Sequence, residues 1–294
     1  MKNKISRRTF VKTASALGVG MGLLGRSTCL AAQPARGAPH AARLGWQLGC
    51  NAYSFRGLTL AETIGKVAGL GLNYTVGFNW QKLDPQRPDA IFNEQMSAAE
   101  RREVKKWLDD AEVKMPACYC RKLAEEDACR RLFDFARDMG IEMVVGEPPF
   151  EAYDMLEKLC DEYRISLAVH NHAKPSPYWE PETLLRLFEG RSRRIGACCD
   201  TGHWIRSGLP TVDALAKFEG RLLTMDLKDV GDEGHCVPFG TGNGDTRGVI
   251  RELHRQRFRG LIGIEYSRAP SGSEAEIAQC VTFFEKVCQE LAIG

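Results

Sequence analysis

No stretch of this 294-residue sequence stays apolar for the about 20 residues that a membrane-spanning helix needs. The longest weakly apolar run, "TASALGVGMGLLG", has about 13 residues and is rich in glycine, so no permanent span is expected. Neither sign of charge dominates, with 40 Lys and Arg against 38 Asp and Glu, and the body has no stripe dense in Lys or Arg. A phosphate backbone has nothing to bind, and nucleic acid is not an expected partner. No G-x-G-x-x-G follows the first candidate strand, which argues against a dinucleotide fold. No linker rich in Pro, Gly or Ser splits the chain, and no low-complexity tract follows residue 40. Histidine is scarce, six in all, and the eleven cysteines lack the regular spacing of a disulfide framework. Several cysteines sit inside apolar runs, where buried free thiols are common.

The first segment differs from the rest. "SRRTFVK" carries Arg7 and Arg8, the apolar run follows, and "CLAAQ" places small residues before a cut near Ala32. This order of basic, apolar and small resembles a twin-arginine export signal. The resemblance implies a signal peptide over 1–32, a linker over 33–43, the twin-arginine translocation machinery as a partner, and a periplasmic or otherwise exported location. Removing Lys2, Lys4, Arg7, Arg8, Lys12 and Arg26, with no acid among them, takes the net charge from +2 to −4. The mature body is mildly acidic.

From residue 44 onward short apolar runs alternate with longer amphipathic ones. Strands are predicted over 46–52, 73–78, 114–119, 142–146, 166–170, 195–200, 222–227 and 261–265. Segments such as "SAAERREVKKWLDDAEV" and "DACRRLFDFARDMG" space their apolar residues at three and four, as helices do. Ser97 and Glu100 have capping-box spacing, and Gly71 and Gly140 stand where helices should stop. Eight strands in strict alternation with helices predict a single (β/α)8 barrel over 44–294, with an open doubly wound sheet as the alternative.

Chemistry on such a barrel sits at the carboxyl ends of the strands. Those ends carry Glu147 in "VVGEPP", His170 and His172 in "LAVHNH", Asp200 and His203 in "CCDTGHW", Asp226, Lys228 and Asp229 in "MDLKDV", and Glu265 in "GIEYS". Adjacent Cys198 and Cys199 point to opposite faces of a strand and cannot grip one ion; alternation puts Cys198 on the face of Asp200. Close carboxylates repel and must share a cation or a proton. Carboxylate and imidazole ligands without thiolate favour one divalent ion, Mn²⁺, Mg²⁺, Co²⁺ or Zn²⁺. Trp80, Tyr178 and Trp204 near loop tops are candidates to stack on a sugar face, or are packing residues. "GTGNGD", Gly240 to Asp245, is a phosphate cradle or a turn with Asp245 as helix cap, and the turn is favoured.

Taken in order, "VVGEPP", "LAVHNH", "DTGHWIRSG", "LKDV", "PFGTGNGD" and "GIEYS" resemble the xylose isomerase-like barrel superfamily, in its sugar phosphate isomerase/epimerase branch. The resemblance implies that Asp200 and Glu265 bind metal and that His203 orients substrate. Ketose 3-epimerases of this superfamily end strand five in a metal-binding glutamate, where this chain has His170. Strand seven normally offers a histidine, where this chain has Asp226. The implied metal set is then drawn from Glu147, His170, Asp200, Asp226 and Glu265, with His172 in place of His170 or acting as a base. Endonucleases of the superfamily use a trinuclear site with more histidines than this chain has.

The expected substrate is a small carbohydrate. Removing the proton next to a carbonyl leaves an enolate or enediolate, with Glu147, Glu265 or one of His170 and His172 as candidate bases and Lys228 either stabilising the oxyanion or pairing with Asp229. His203, Trp204 and Arg206 are the candidate substrate contacts. Proton return gives isomerisation or epimerisation; loss of a β-substituent cleaves a 3-keto-glycoside instead. A barrel that binds sugar without chemistry is the remaining alternative.

Overall fold

The computed structural model describes residues 37–293. The expected leader over 1–32 lies outside the described residues. The strands are β1 (Trp46–Asn51), β2 (Tyr74–Phe78), β3 (Lys82–Asp84), β4 (Arg87–Ile91), β5 (Lys114–Tyr119), β6 (Met143–Gly146), β7 (Ser166–His170), β8 (Ile195–Asp200), β9 (Leu222–Leu227) and β10 (Gly260–Ile264). Eight of them close a parallel barrel in the order β1-β2-β5-β6-β7-β8-β9-β10, with β10 paired back to β1. The single (β/α)8 barrel is therefore the fold.

Around it lie α1 (Pro39–Arg43), α2 (Leu60–Gly69), α3 (Ala98–Ala111), α4 (Glu126–Met139), α5 (Tyr153–Tyr163), α6 (Pro181–Phe188), α7 (Thr201–Arg206), α8 (Thr211–Ala216), α9 (Thr246–Arg255) and α10 (Glu274–Leu291). Local sequence explains their ends. The Ser97 hydroxyl accepts from the Glu100 N–H while the Glu100 carboxylate accepts from the Ser97 N–H, so two donors at the start of α3 are satisfied reciprocally. Gly140 stops α4 at φ 73°, a left-handed conformation that favours glycine.

Strand alternation divides the apolar residues into two sets. Val76, Ala117, Val145, Ala168, Cys198 and Leu261 fill the barrel interior, whereas Cys199 joins the larger core between strands and helices. Cys198 thus shares the face of Asp200, as the spacing predicts. All ten described cysteines are buried and unpaired.

Two regions depart from the sequence reading. Residues 39–43, expected as part of a linker, form α1, whose first N–H groups at His40 and Ala41 donate to the Glu285 carboxylate of α10 at 3.0 and 2.8 Å. A short antiparallel hairpin, β3-β4, also follows β2. Pro85 and Pro88 hide it in the sequence, because a proline lacks the N–H of a paired strand and is tolerated only at an edge.

Candidate active site

The barrel directs Asn51, His170, Asp200, Asp226 and Glu265 to one end because each lies within one residue of the carboxyl end of a strand. Asp200 does two jobs at that point: its Oδ1 accepts from the His203 N–H at 3.0 Å and so starts α7, while Oδ2 turns inward. Oδ2 lies 2.7 Å from Lys228 Nζ and 3.4 Å from His170 Nε2. Lys228 Nζ is also 2.6 Å from Glu265 Oε1. The ammonium therefore bridges Asp200 and Glu265, and the suggested pair with Asp229 is corrected.

Asp226 enters from β9, with Oδ1 accepting from Asn51 Nδ2 at 2.9 Å and Oδ2 3.8 Å from His170 Nε2. Gly263 makes room for it: a Cβ there would stand 2.9 Å from Asp226 Oδ1. Burial, then the negative charge of Glu265, pushes the Asp226 carboxyl up to about 7. Burial opposes protonation of His170, but Asp200 and Glu147 outweigh it and raise the imidazole to about 9. Burial keeps His203 uncharged by lowering it to about 3.

Ligand atoms of Asp200, Asp226 and Glu265 lie within 4.8 Å of one another, and a second such group joins His170, Asp200 and His203. His170 Nδ1 and His203 Nδ1 are buried without a hydrogen-bond partner among the described residues. Converging carboxylates, with Asp226 costly to ionise on its own, and unpaired imidazole nitrogens fit a divalent ion.

Glu147 stands elsewhere than expected. It groups with His170 and His172, not with Asp200 and Glu265. Its Oε1 accepts the His172 backbone N–H at 2.8 Å and lies 2.7 Å from His172 Nδ1, and its Oε2 accepts from Ser176 at 3.2 Å. It also lies 3.7 Å from His170 Nδ1, on the far side of that imidazole from the carboxylate cluster. Glu147 thus backs both imidazoles.

Above the cluster opens a cavity of about 510 Å³. His170, His172, His203, Lys228 and Glu265 form one side of its lining, and Tyr53, Phe78, Trp80 and Tyr119 supply an aromatic counterpart. Tyr53 meets Phe78 and Tyr119 meets Trp80 edge-on, while Phe78 and Trp80 are tilted at 50° with centroids 4.9 Å apart. Arg121, Arg206 and Ser267 also line it. Sequence reasoning missed Asn51, Tyr53, Phe78, Tyr119, Arg121 and Ser267; a tyrosine or phenylalanine closing a strand reads as core.

Trp204 is not a substrate contact. It is 1% exposed and stacks on Phe218 at 6.0 Å, because consecutive residues of α7 point about 100° apart and His203 takes the cavity side. Tyr178 is buried as well, its hydroxyl donating to the Pro148 carbonyl. We expect Trp204→Phe to lower stability by about 1–2 kcal/mol through lost packing while leaving sugar affinity unchanged. Urea unfolding and a sugar titration check both halves, and a loss of affinity at unchanged stability would restore Trp204 to the site.

The loop after β9 is the favoured turn. Its N–H groups at Gly240, Gly242 and Gly244 hold the Asp229 carboxylate at 2.8, 3.1 and 3.0 Å, and Asp245 caps α9 through the Gly248 N–H.

Comparison with known proteins agrees with this architecture. A putative uncharacterised protein from Parabacteroides distasonis is 29% identical with a TM-score of 0.67, over 83% of this chain and 99% of that one. A D-tagatose 3-epimerase-like protein is 14% identical with a TM-score of 0.65, over 84% of this chain and 99% of that one. A xylose isomerase-like TIM barrel protein from Mycobacterium smegmatis, in complex with magnesium, is 14% identical with a TM-score of 0.67, over 83% and 97%. An uncharacterised protein of Sinorhizobium fredii is 25% identical over 135 residues, so the chain spans less than half of that relative, 43% of its length and 45% of its own. The family described as xylose isomerase-like TIM barrel matches residues 74–287. Since that match runs from the second barrel strand into the last helix, the chain belongs to the xylose isomerase-like TIM barrel family.

Proposed function

We propose that this barrel is a divalent-metal-dependent sugar isomerase or epimerase that removes a proton next to a carbonyl. The observation that carries the reading is the meeting of Asp200, Asp226 and Glu265 beneath a cavity lined on another side by aromatic rings. Those carboxylates with His170 would hold the ion, and a bound ion supplies Lewis-acid polarisation of a substrate oxygen. The magnesium complex among the structural neighbours and the 3-epimerase-like neighbour support this choice.

The chain's own residues do the remaining work. The Phe78 and Tyr119 rings receive the C–H face of a sugar while His203, neutral and cavity-lining, orients a hydroxyl. His172 is the preferred base: Glu147 occupies its Nδ1, fixes the ring and leaves Nε2 as the free nitrogen. Glu147 is a positioning residue, since both its oxygens are engaged. Lys228 holds the Asp200 and Glu265 carboxylates against their mutual repulsion. Export by the twin-arginine route would place this chemistry outside the cytoplasm.

Incubating the metal-loaded protein with free ketoses in deuterium oxide tests the reaction. Deuterium should enter the carbon next to the carbonyl as the isomer or epimer forms, and chelation should stop both. Absence of both exchange and product for every ketose would overturn the proposal.

A further inference from the structure

The cavity mouth carries two arginines that the proposed proton transfer leaves unused. Arg121 follows β5 and lies 3.6 Å over the Trp80 ring; Arg206 closes α7. Both line the cavity, and neither meets a carboxylate among the described residues. Arg206 is held from one side, with Nε donating to the Gly234 carbonyl at 3.1 Å and Nη2 3.9 Å from Cys236 Sγ. Its Nη1 has no hydrogen-bond partner among the described residues. That nitrogen packs over Gly202, where an added Cβ would stand 3.2 Å from it and 2.6 Å from Lys228 Cδ. The guanidinium and the lysine stem therefore share one flank.

Ser267 belongs to the same flank, with its Oγ 3.7 Å from Cys236 Sγ and open to the cavity. Lys228 is already committed to two carboxylates, but Arg206 offers spare N–H groups beside a hydroxyl. That combination matches a carboxylate, which accepts paired, charge-assisted hydrogen bonds from a planar guanidinium. A phosphate finds less. Barrels commonly grip phosphate on backbone N–H groups of the loops after their last strands, and here those of the loop after β9 are filled by Asp229.

We infer that the carbohydrate substrate carries a carboxylate, bound by Arg206 with Ser267 while Arg121 adds positive field across the mouth. The inference rests on the proposed function for the carbohydrate and its carbonyl alone. It makes the substrate an oxidised sugar, a keto acid of hexose size that fits the cavity of about 510 Å³.

Three compounds that differ only at the terminal carbon separate the outcomes: D-fructose, D-fructuronate and D-fructose 6-phosphate, titrated calorimetrically into the metal-loaded protein. Fructuronate should bind at least ~10-fold more tightly than fructose, the gain expected of a charge-assisted pair. Arg206→Met should bring the two within ~2-fold, and Arg206→Lys, which keeps the stem packing and the charge, should recover only part because the fork is lost. Equal affinity for fructose and fructuronate in the unaltered protein overturns the inference, and so does preference for the phosphate ester. A failure of the proposed function reads differently: no deuterium exchange with any compound, whatever its affinity.

Discussion

Replacing Asp200 with alanine should lower turnover on the order of 10³-fold or more and abolish solvent deuterium exchange. Asp200 meets three nitrogen groups of the cluster, Lys228 at 2.7 Å, His170 at 3.4 Å and His203 Nε2 at 3.6 Å, all through the one buried Oδ2. Alanine removes a candidate ligand and leaves the buried ammonium with Glu265 as its remaining close counterion. It also removes the cap of α7, a loss of about 1 kcal/mol. Asparagine separates these effects, since its amide oxygen can still accept from the His203 N–H while the charge is gone. Asp200→Asn should therefore keep most of the helix stability and lose nearly as much activity as alanine. Metal binding, measured by calorimetry on both variants, should weaken in parallel with activity. Turnover within tenfold of the parent for both variants would remove Asp200 from the chemistry.

The strand-end residues were legible because a barrel gathers whatever closes its strands. Five strand ends carrying carboxylates or imidazoles had to meet, and Asp200, Asp226 and Glu265 do. What could not be read is which neighbour each one turns to. Glu147 follows its strand as Asp200 ends its own, yet the His172 N–H and ring draw it away from the cluster, a choice decided by the turn of "HNH" and not by periodicity. Trp204 misled for a helical reason, since a nine-residue motif crosses from strand to helix and the face assignment changes midway. The aromatic wall was invisible because Tyr53, Phe78 and Tyr119 look alike whether they end in a cavity or in packing. Arg121 gave no signal at all; only the fold puts its guanidinium over Trp80.

Asp229→Ala should cost about 3–5 kcal/mol of stability, the second large effect, although Asp229 has no place in the proposed proton transfer. Its carboxylate is 1% exposed and accepts four backbone N–H groups, from Val230, Gly240, Gly242 and Gly244, at 2.8 to 3.1 Å. Leaving such donors unpaired costs about 1–3 kcal/mol each when water cannot reach them, and the more exposed part of the loop will recover some of that. For a domain of this size the expected loss corresponds to a fall in melting temperature of roughly 6–20 °C. The glycines belong to the same device: a Cβ at Gly242 would stand 2.4 Å from Asp229 Oδ1, so the loop can close on the carboxylate only if that position has no side chain. Asp229→Asn should fall between, because an amide keeps one acceptor oxygen and turns a donor toward N–H groups. The same loosening has a functional reading. The segment between β9 and this loop supplies the Gly234 carbonyl and Cys236 that hold Arg206, so the variant that still folds should lose its preference for a carboxylated sugar before its exchange of deuterium with a neutral one. A melting temperature within about 2 °C of the parent would mean that the four N–H groups find other partners, and the loop would then not be what fixes Arg206.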